Sequence, residues 1–362
     1  MNRIFNFSAG PAALPESVLK NIAANMSNYE GQGLSVMEMS HRSPSYMEIH
    51  ENAKQSLRRL MDIPENYDIL FLQGGATTQF SAVPLNLLNN SGKADYIISG
   101  SFAKKAYDEA QKYGDIAVAA STKDQNFSRV PKDEEIIVRS DADYVHMCVN
   151  NTIFGTRFKP TDIPKFDNIP IVADMSSNIL SEVYDVNDFG VIYAGAQKNM
   201  GPSGLTVVII RKDLIGKARE LTPTILDYQT NADNDSMYNT PPTFSIYTAG
   251  LVFDWLLDLG GIPAIEKINK EKAEKLYSYI DQSDFYTGTA AKEDRSLMNV
   301  TFKTQSEELD KLFAKEAAAQ GLENLKGHRS VGGMRASIYN AMPMEGIDAL
   351  IAFMQDFENN HK

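Results

Sequence analysis

Short apolar runs rich in β-branched residues recur through the middle of the chain, at residues 69–72, 96–99, 116–120, 144–149, 171–173, 191–194 and 205–210. Their length and continuity suit strands buried on both faces. Between the early runs the apolar spacing becomes helical, predicting helices over 78–88 and 103–113. Strands alternating with helices predict an α/β fold: a mostly parallel seven-stranded sheet with helices on both faces. Ligands in such sheets sit beyond the carboxyl ends of the strands.

Upstream, Tyr46, Ile49, Ala53, Leu57 and Leu60 make an apolar stripe at helical spacing, and Ser45 with Glu48 is placed to cap it. Downstream, 245–259 reads as a long buried helix that Gly260, Gly261 and Pro263 interrupt. The remainder predicts helix 264–280, strand 297–302, helix 307–319, strand 334–337 and helix 347–357, an α+β unit. The expected division is a large domain over 16–258 and a smaller one built from 1–15 and 259–362.

Composition narrows the class. The 362 residues suit two domains, and 43% hydrophobic with 23% charged residues is ordinary for a globular chain. A net charge of −12 argues against nucleic acid as a partner. Residues 1–15, broken by Gly10, Pro11 and Pro15, lack the continuous apolar segment of a signal peptide, and no apolar run approaches a bilayer span. The single cysteine, Cys148, permits no intrachain disulfide and fits a reducing compartment. The expectation is a cytoplasmic protein with neither membrane nor nucleic acid as partner. An acidic chain that binds small anions must also reverse its field locally.

Three stretches fall where a strand ends. Gln73-Gly74-Gly75-Ala76-Thr77-Thr78 follows one strand and opens a helix. Its glycines and free N–H groups could cradle a phosphate, or form an ordinary turn. Ala173-Asp174-Met175-Ser176-Ser177 ends a strand in a carboxylate, which could hold a cation, a ribose hydroxyl or a protonated ring nitrogen, or cap a helix. Ala194-Gly195-Ala196-Gln197-Lys198-Asn199-Met200-Gly201-Pro202 delivers a lysine into a rigid loop, 24 residues after Asp174. Lysines are mostly solvated surface groups, but small residues on one side and a Gly- and Pro-rich loop on the other suit an approachable, packed site. Together the three ask for pyridoxal phosphate, which needs a Schiff-base lysine, an acid against its ring nitrogen and a phosphate cradle.

With these residues goes a family resemblance. Phe5-Asn6-Phe7-Ser8-Ala9-Gly10-Pro11-Ala12, Met39-Ser40-His41-Arg42-Ser43, Tyr238-Asn239-Thr240-Pro241-Pro242 and Gly332-Gly333-Met334-Arg335-Ala336-Ser337 join the stretches above. The chain resembles, over its whole length, the phosphoserine aminotransferases, a family of class V, fold-type-I pyridoxal-phosphate enzymes. The resemblance implies amino transfer between glutamate and 3-phosphohydroxypyruvate, giving 3-phosphoserine and 2-oxoglutarate in serine biosynthesis. The family's second substrate is a phosphorylated 2-oxo acid of pyridoxal phosphate biosynthesis.

The same resemblance implies roles for single residues. Lys198 would attach the cofactor and shuttle the Cα proton, and Asp174 would pair with the ring nitrogen. Ala76, Thr77 and Gln197 would hold its phosphate, with Asn239 and Thr240 reaching over from the second subunit of a homodimer. Phe102 would stack on the ring, and Thr152 would bond the ring hydroxyl. Arg335 would clamp the substrate α-carboxylate, while His41, Arg42, His328 and Arg329 would bind the distal anion; no metal is implied. Some relatives carry an arginine where this chain has Thr77 and a tryptophan where it has Phe102.

Other readings need other residues. A cysteine desulfurase requires a reactive thiol on a mobile loop, whereas Cys148 lies in an apolar run. An alanine–glyoxylate transaminase would not call for the four distal cations together. A nicotinamide dehydrogenase would carry G-x-G-x-x-G, absent here, and a non-catalytic binding protein would not need Lys198 with Asp174.

Overall fold

The structure, a computed structural model, describes residues 3–362. All seven anticipated strands of the central region join one sheet. Its order is Tyr67–Leu72, Thr206–Arg211, Val191–Gly195, Ile171–Asp174, Tyr144–Cys148, Lys93–Ile98 and Asp115–Ser121. Thr206–Arg211 runs antiparallel to both neighbours, and every other pairing in the sheet is parallel.

Side-chain alternation explains why the sheet needs cover on both sides. Val207 and Ile209 point into one core and Val208 and Ile210 into the other. Full burial of each such side chain contributes roughly 1.5–3 kcal/mol. The helices Gly75–Leu87 and Ser101–Ala110 close one face through Phe80, Val83, Ala106 and Ala110. Pro44–Leu60 and Thr243–Asp258 close the other through Ala53, Leu57, Ala249 and Phe253. Those two helices cross closely because Gly250 faces Ala53: a Cβ on Gly250 would lie 3.3 Å from that of Ala53.

One expectation about the helix at residue 44 is corrected. The cap is Ser43, whose hydroxyl accepts from the Tyr46 N–H, and Pro44 occupies the first turn. Proline at that position has its φ preset for a helix, which moves the start upstream of Ser45. Ser45 instead donates to Gln32 Oε1 at 2.8 Å.

A second core lies in the C-terminal part. Thr287–Gly288, Asn299–Lys303 and Met334–Ser337 form an antiparallel sheet. The helices Gly261–Gln282, Glu307–Ala319 and Met344–His361 pack on it through Leu276, Phe313, Phe353 and Phe357. The chain's start belongs here: Phe5–Asn6 pairs in parallel with Leu322–Glu323, and Phe7 is buried in this core. Neither that ladder nor the helices Glu16–Asn25 and Tyr228–Asp233 had been anticipated. Two-residue strands have no period to read, and only Val18 and Ile22 of Glu16–Asn25 are buried. Among the described residues no single helix is long and apolar enough to cross a membrane.

Candidate active site

The carboxyl ends of the parallel strands open onto a cavity of about 310 Å³. Its lining includes Ala76, Thr77, Phe102, Thr152, Asp174, Gln197 and Lys198. Sheet register brings Cys148, Asp174 and Tyr193 side by side, so the acid emerges from the middle of the sheet. Asp174 is 4% exposed and makes no salt bridge among the described residues. It accepts from the Ser176 N–H at 2.9 Å. Burial raises its pKa, against the opposing pull of Ser176 and Lys198.

Lys198 follows the strand Val191–Gly195 by a short turn, and its Nζ donates to Thr152 Oγ1 at 3.1 Å. The same Nζ lies 5.6 Å from the centre of the Phe102 ring. Burial pulls the Lys198 ammonium down to about 8; Asp174 resists this and Arg335 assists it. An amine so shifted is about one-tenth unprotonated at pH 7 and about half at pH 8, far more than an ordinary lysine, as a nucleophile or proton acceptor requires.

Across the cavity, Gly74 and Gly75 take positive φ of 94° and 67°, which turns the chain sharply into the helix Gly75–Leu87. No side chain caps that helix, so its first N–H groups face outward as an anion site. The second core approaches the cavity without lining it. Arg335, on the strand Met334–Ser337, donates from Nη1 to the Thr152 carbonyl at 3.3 Å. The N-terminal segment then crosses Lys198, with the Ala12 N–H donating to Gln197 O at 2.9 Å. Gly10 lies against the Lys198 side chain, and its φ of 140° disfavours any other residue there.

Residues 4–350 match the family model described as aminotransferase class-V. A phosphoserine aminotransferase of Listeria monocytogenes serotype 4b is 56% identical, covering 100% of this chain and 98% of its own. The chain belongs to the class-V aminotransferases. Among solved structures, the phosphoserine aminotransferase of Bacillus circulans subsp. alkalophilus is 46% identical with a TM-score of 0.97, covering 99% of both chains. The PLP-bound phosphoserine aminotransferase of Trichomonas vaginalis is 40% identical with a TM-score of 0.93, covering 98% of this chain and 100% of that one.

Enzymes of this family are pyridoxal-phosphate-dependent and act on small molecules. The cavity fits that cofactor on its own chemistry. It pairs a buried acid lacking a salt bridge with a half-buried lysine and an uncapped helix start.

The remaining expected residues lie elsewhere within one chain. His328 and Arg329 sit on a loop bordering a separate groove of about 400 Å³ with Lys326 and Gly333. Burial, and then the charges of Arg335, Arg329 and Lys105, push His328 below its usual pKa, so these groups share one positive field. His41 and Arg42 form a surface turn before the helix Pro44–Leu60, and the Arg42 N–H donates to Ser40 Oγ. Asn239 and Thr240 are exposed, and the Thr240 carbonyl accepts from Gln73 Nε2 at 2.8 Å. None of these six lines the Lys198 cavity. Two residues that do shape it were quoted in the sequence without a role: Ser176, which braces Asp174, and Gly10, which admits the crossing segment. Neither has a signature apart from its motif.

Proposed function

We propose that this chain transfers an amino group reversibly between glutamate and 3-phosphohydroxypyruvate, producing 3-phosphoserine and 2-oxoglutarate. The observation that carries the reading is Lys198 and Asp174 lining one cavity, with Arg335 bonded to the carbonyl of Thr152, another lining residue. The substrate preference is supported by curated relatives named phosphoserine aminotransferase at up to 56% identity.

In this reading Ala76, Thr77 and Gln197 would hold the cofactor phosphate, Thr152 its ring hydroxyl and Phe102 its ring face. When bound, pyridoxal phosphate supplies an aldehyde that takes up amino groups and a cationic ring that draws electrons from the neighbouring carbon. Asp174 keeps the ring nitrogen charged, and pairing with that charge offsets the cost of burying the carboxylate. Lys198 Nζ would hold the cofactor covalently and would be the group that takes up and gives back the substrate Cα proton. Arg335 fixes the α-carboxylate with forked donors, so the Cα–H bond faces Lys198.

The distal phosphate or γ-carboxylate is bound by His41, Arg42, His328 and Arg329. Because His41 and Arg42 lie outside the cavity of their own chain, as do Asn239 and Thr240, the reading includes a homodimer in which these segments complete the neighbouring site. Residues 16–258 then form the large cofactor-binding domain, and 1–15 with 259–362 the small domain, in a cytoplasmic enzyme. Mixing purified protein with 3-phosphoserine should convert the cofactor's visible absorption to that of its amine form, far faster than L-alanine does. Equal rates with the two donors would reduce the reading to a class-V transaminase of other specificity.

A further inference from the structure

Lys272 lies on the helix Gly261–Gln282, one of the elements of the second core, and is 0% exposed. No carboxylate pairs with it among the described residues; its Nζ donates instead to three backbone carbonyls. These are Ile338 at 3.2 Å, Tyr339 at 2.9 Å and Met342 at 3.1 Å. Three donors of one ammonium thus gather the carbonyls of a single buried turn, 338–342. A charge buried without a counter-ion is costly, and burial drags this ammonium down to about 7. The three bonds satisfy carbonyls that an apolar side chain here would leave buried without this partner, so they fix the conformation of the turn.

That conformation matters because the turn is where the two cores and the crossing segment meet. Tyr339 donates from its hydroxyl to the Ala9 carbonyl at 2.9 Å, next to Gly10 on Lys198. The Asn340 N–H donates to Asn199 Oδ1 at 3.0 Å, adjacent to Lys198 in sequence. Asn340 Nδ2 donates to the Leu180 carbonyl at 2.8 Å in the large core. One turn of helix before Lys272, Asn269 Nδ2 donates to both Asn340 Oδ1 and the Ser181 carbonyl. The turn directly follows the strand Met334–Ser337, which carries Arg335.

We propose that Lys272 is a positioning residue for the transamination: its ammonium holds turn 338–342 in the arrangement that seats residues 9–12 and the Lys198 loop beneath Arg335. Lys272 touches neither substrate nor cofactor, and it acts through Tyr339 and Asn340. The inference rests on the functional reading above.

The test compares wild type with Lys272→Met, which keeps the length of the side chain and removes the donors. Hydrogen exchange on the cofactor-free proteins should be on the order of tenfold faster at the Ala12 and Asn340 amides, with the central sheet unchanged, as expected for local opening. In the loaded enzymes kcat/KM should fall on the order of 10–100-fold for phosphoserine, glutamate and alanine alike, because displacement of the shared α-carboxylate site affects every donor. Lys272→Arg, which retains donors, should recover part of both losses. Unchanged exchange at Ala12 and Asn340, or a loss confined to phosphoserine, would overturn the proposal. Should Lys272→Met fail to fold, Tyr339→Phe decides the matter: it must speed exchange at Ala12 and slow all three donors, and an unaltered profile would overturn the mechanism. A wild-type protein that binds no cofactor would instead count against the functional reading, independently of the exchange result.

Discussion

The floor of the Lys198 cavity and the cationic segments meant for the distal anion are built on opposite principles. The floor is complete within one chain: Asp174 and Cys148 are locked by parallel register, and Lys198 follows a fully buried strand. The distal cations ride on surface loops, with Arg42 and Arg329 exposed and neither lining the cavity. The residues that line the cavity are therefore fixed by the sheet, where burial can shift pKa values, whereas those proposed to select the substrate lie on surface loops outside it. This division also resolves the conflict set by a net charge of −12, since Arg335, Arg329 and Lys105 gather a positive field locally around His328.

The sharpest challenge to this comparison is a test of whether the outer segments come from a second chain. Lys198→Ala and Asn239→Ala homodimers should each be nearly inactive or impaired, while mixed dimers regain activity from one site that keeps both residues. Recovery absent from hybrids proven to form would mean that each chain completes its own site. Next in size is Asp174→Asn, which removes the charge facing the ring nitrogen yet leaves the buried strand intact. Half-reaction rates should drop roughly 10²–10³-fold with cofactor still bound. A rate within a factor of two of wild type would assign the ring nitrogen to another group.

Smaller effects should separate floor from periphery. Arg335→Ala and Arg42→Ala each remove a charge-assisted contact of roughly 1.5–3 kcal/mol, or about tenfold or more in affinity. The first should weaken phosphoserine, glutamate and alanine together. The second should weaken phosphoserine most, glutamate less and alanine hardly at all. Stopped-flow half-reactions give the pattern directly, and an Arg42→Ala loss equal for all three would make that residue structural.

The mildest effect is on pH. Lys198 is depressed to about 8 from an ordinary value above 10, so the folded chain releases this proton earlier than the unfolded chain. Cofactor capture by the cofactor-free protein should accelerate about fivefold from pH 7 to 8 and level off above, as the neutral amine accumulates. The same shift makes the cofactor-free fold gain stability from Lys198 as pH climbs from about 8 toward the unfolded value. A flat capture rate from pH 7 to 9 would mean that another step limits attachment.

Much of the floor was legible because sequence-local signals coincide with tertiary ones there. The run Ile171-Val172-Ala173 must be a buried strand, so Asp174 has to emerge at its end, and the same logic places Lys198 after Val191–Gly195. The contacts that seat the second core were not legible. Lys272 reads as an ordinary exposed lysine on a helix until the turn 338–342 closes over it, 66 or more residues away. The N-terminal crossing was equally hidden: Phe5–Asn6 gains a partner only from Leu322–Glu323, and two residues carry no period. The cap is Ser43 and not Ser45 because the preset φ of Pro44 outweighs the Ser45/Glu48 pattern.

Everything in this account depends on Lys198 being the residue that joins the cofactor. Borohydride reduction of the purified, yellow protein, followed by proteolysis and mass spectrometry, reads this directly. The account predicts one pyridoxyl-modified peptide per chain, carrying the label on Lys198, in the stretch Ala196-Gln197-Lys198-Asn199. Label on any other lysine, or a protein that takes up no cofactor at all, would contradict it.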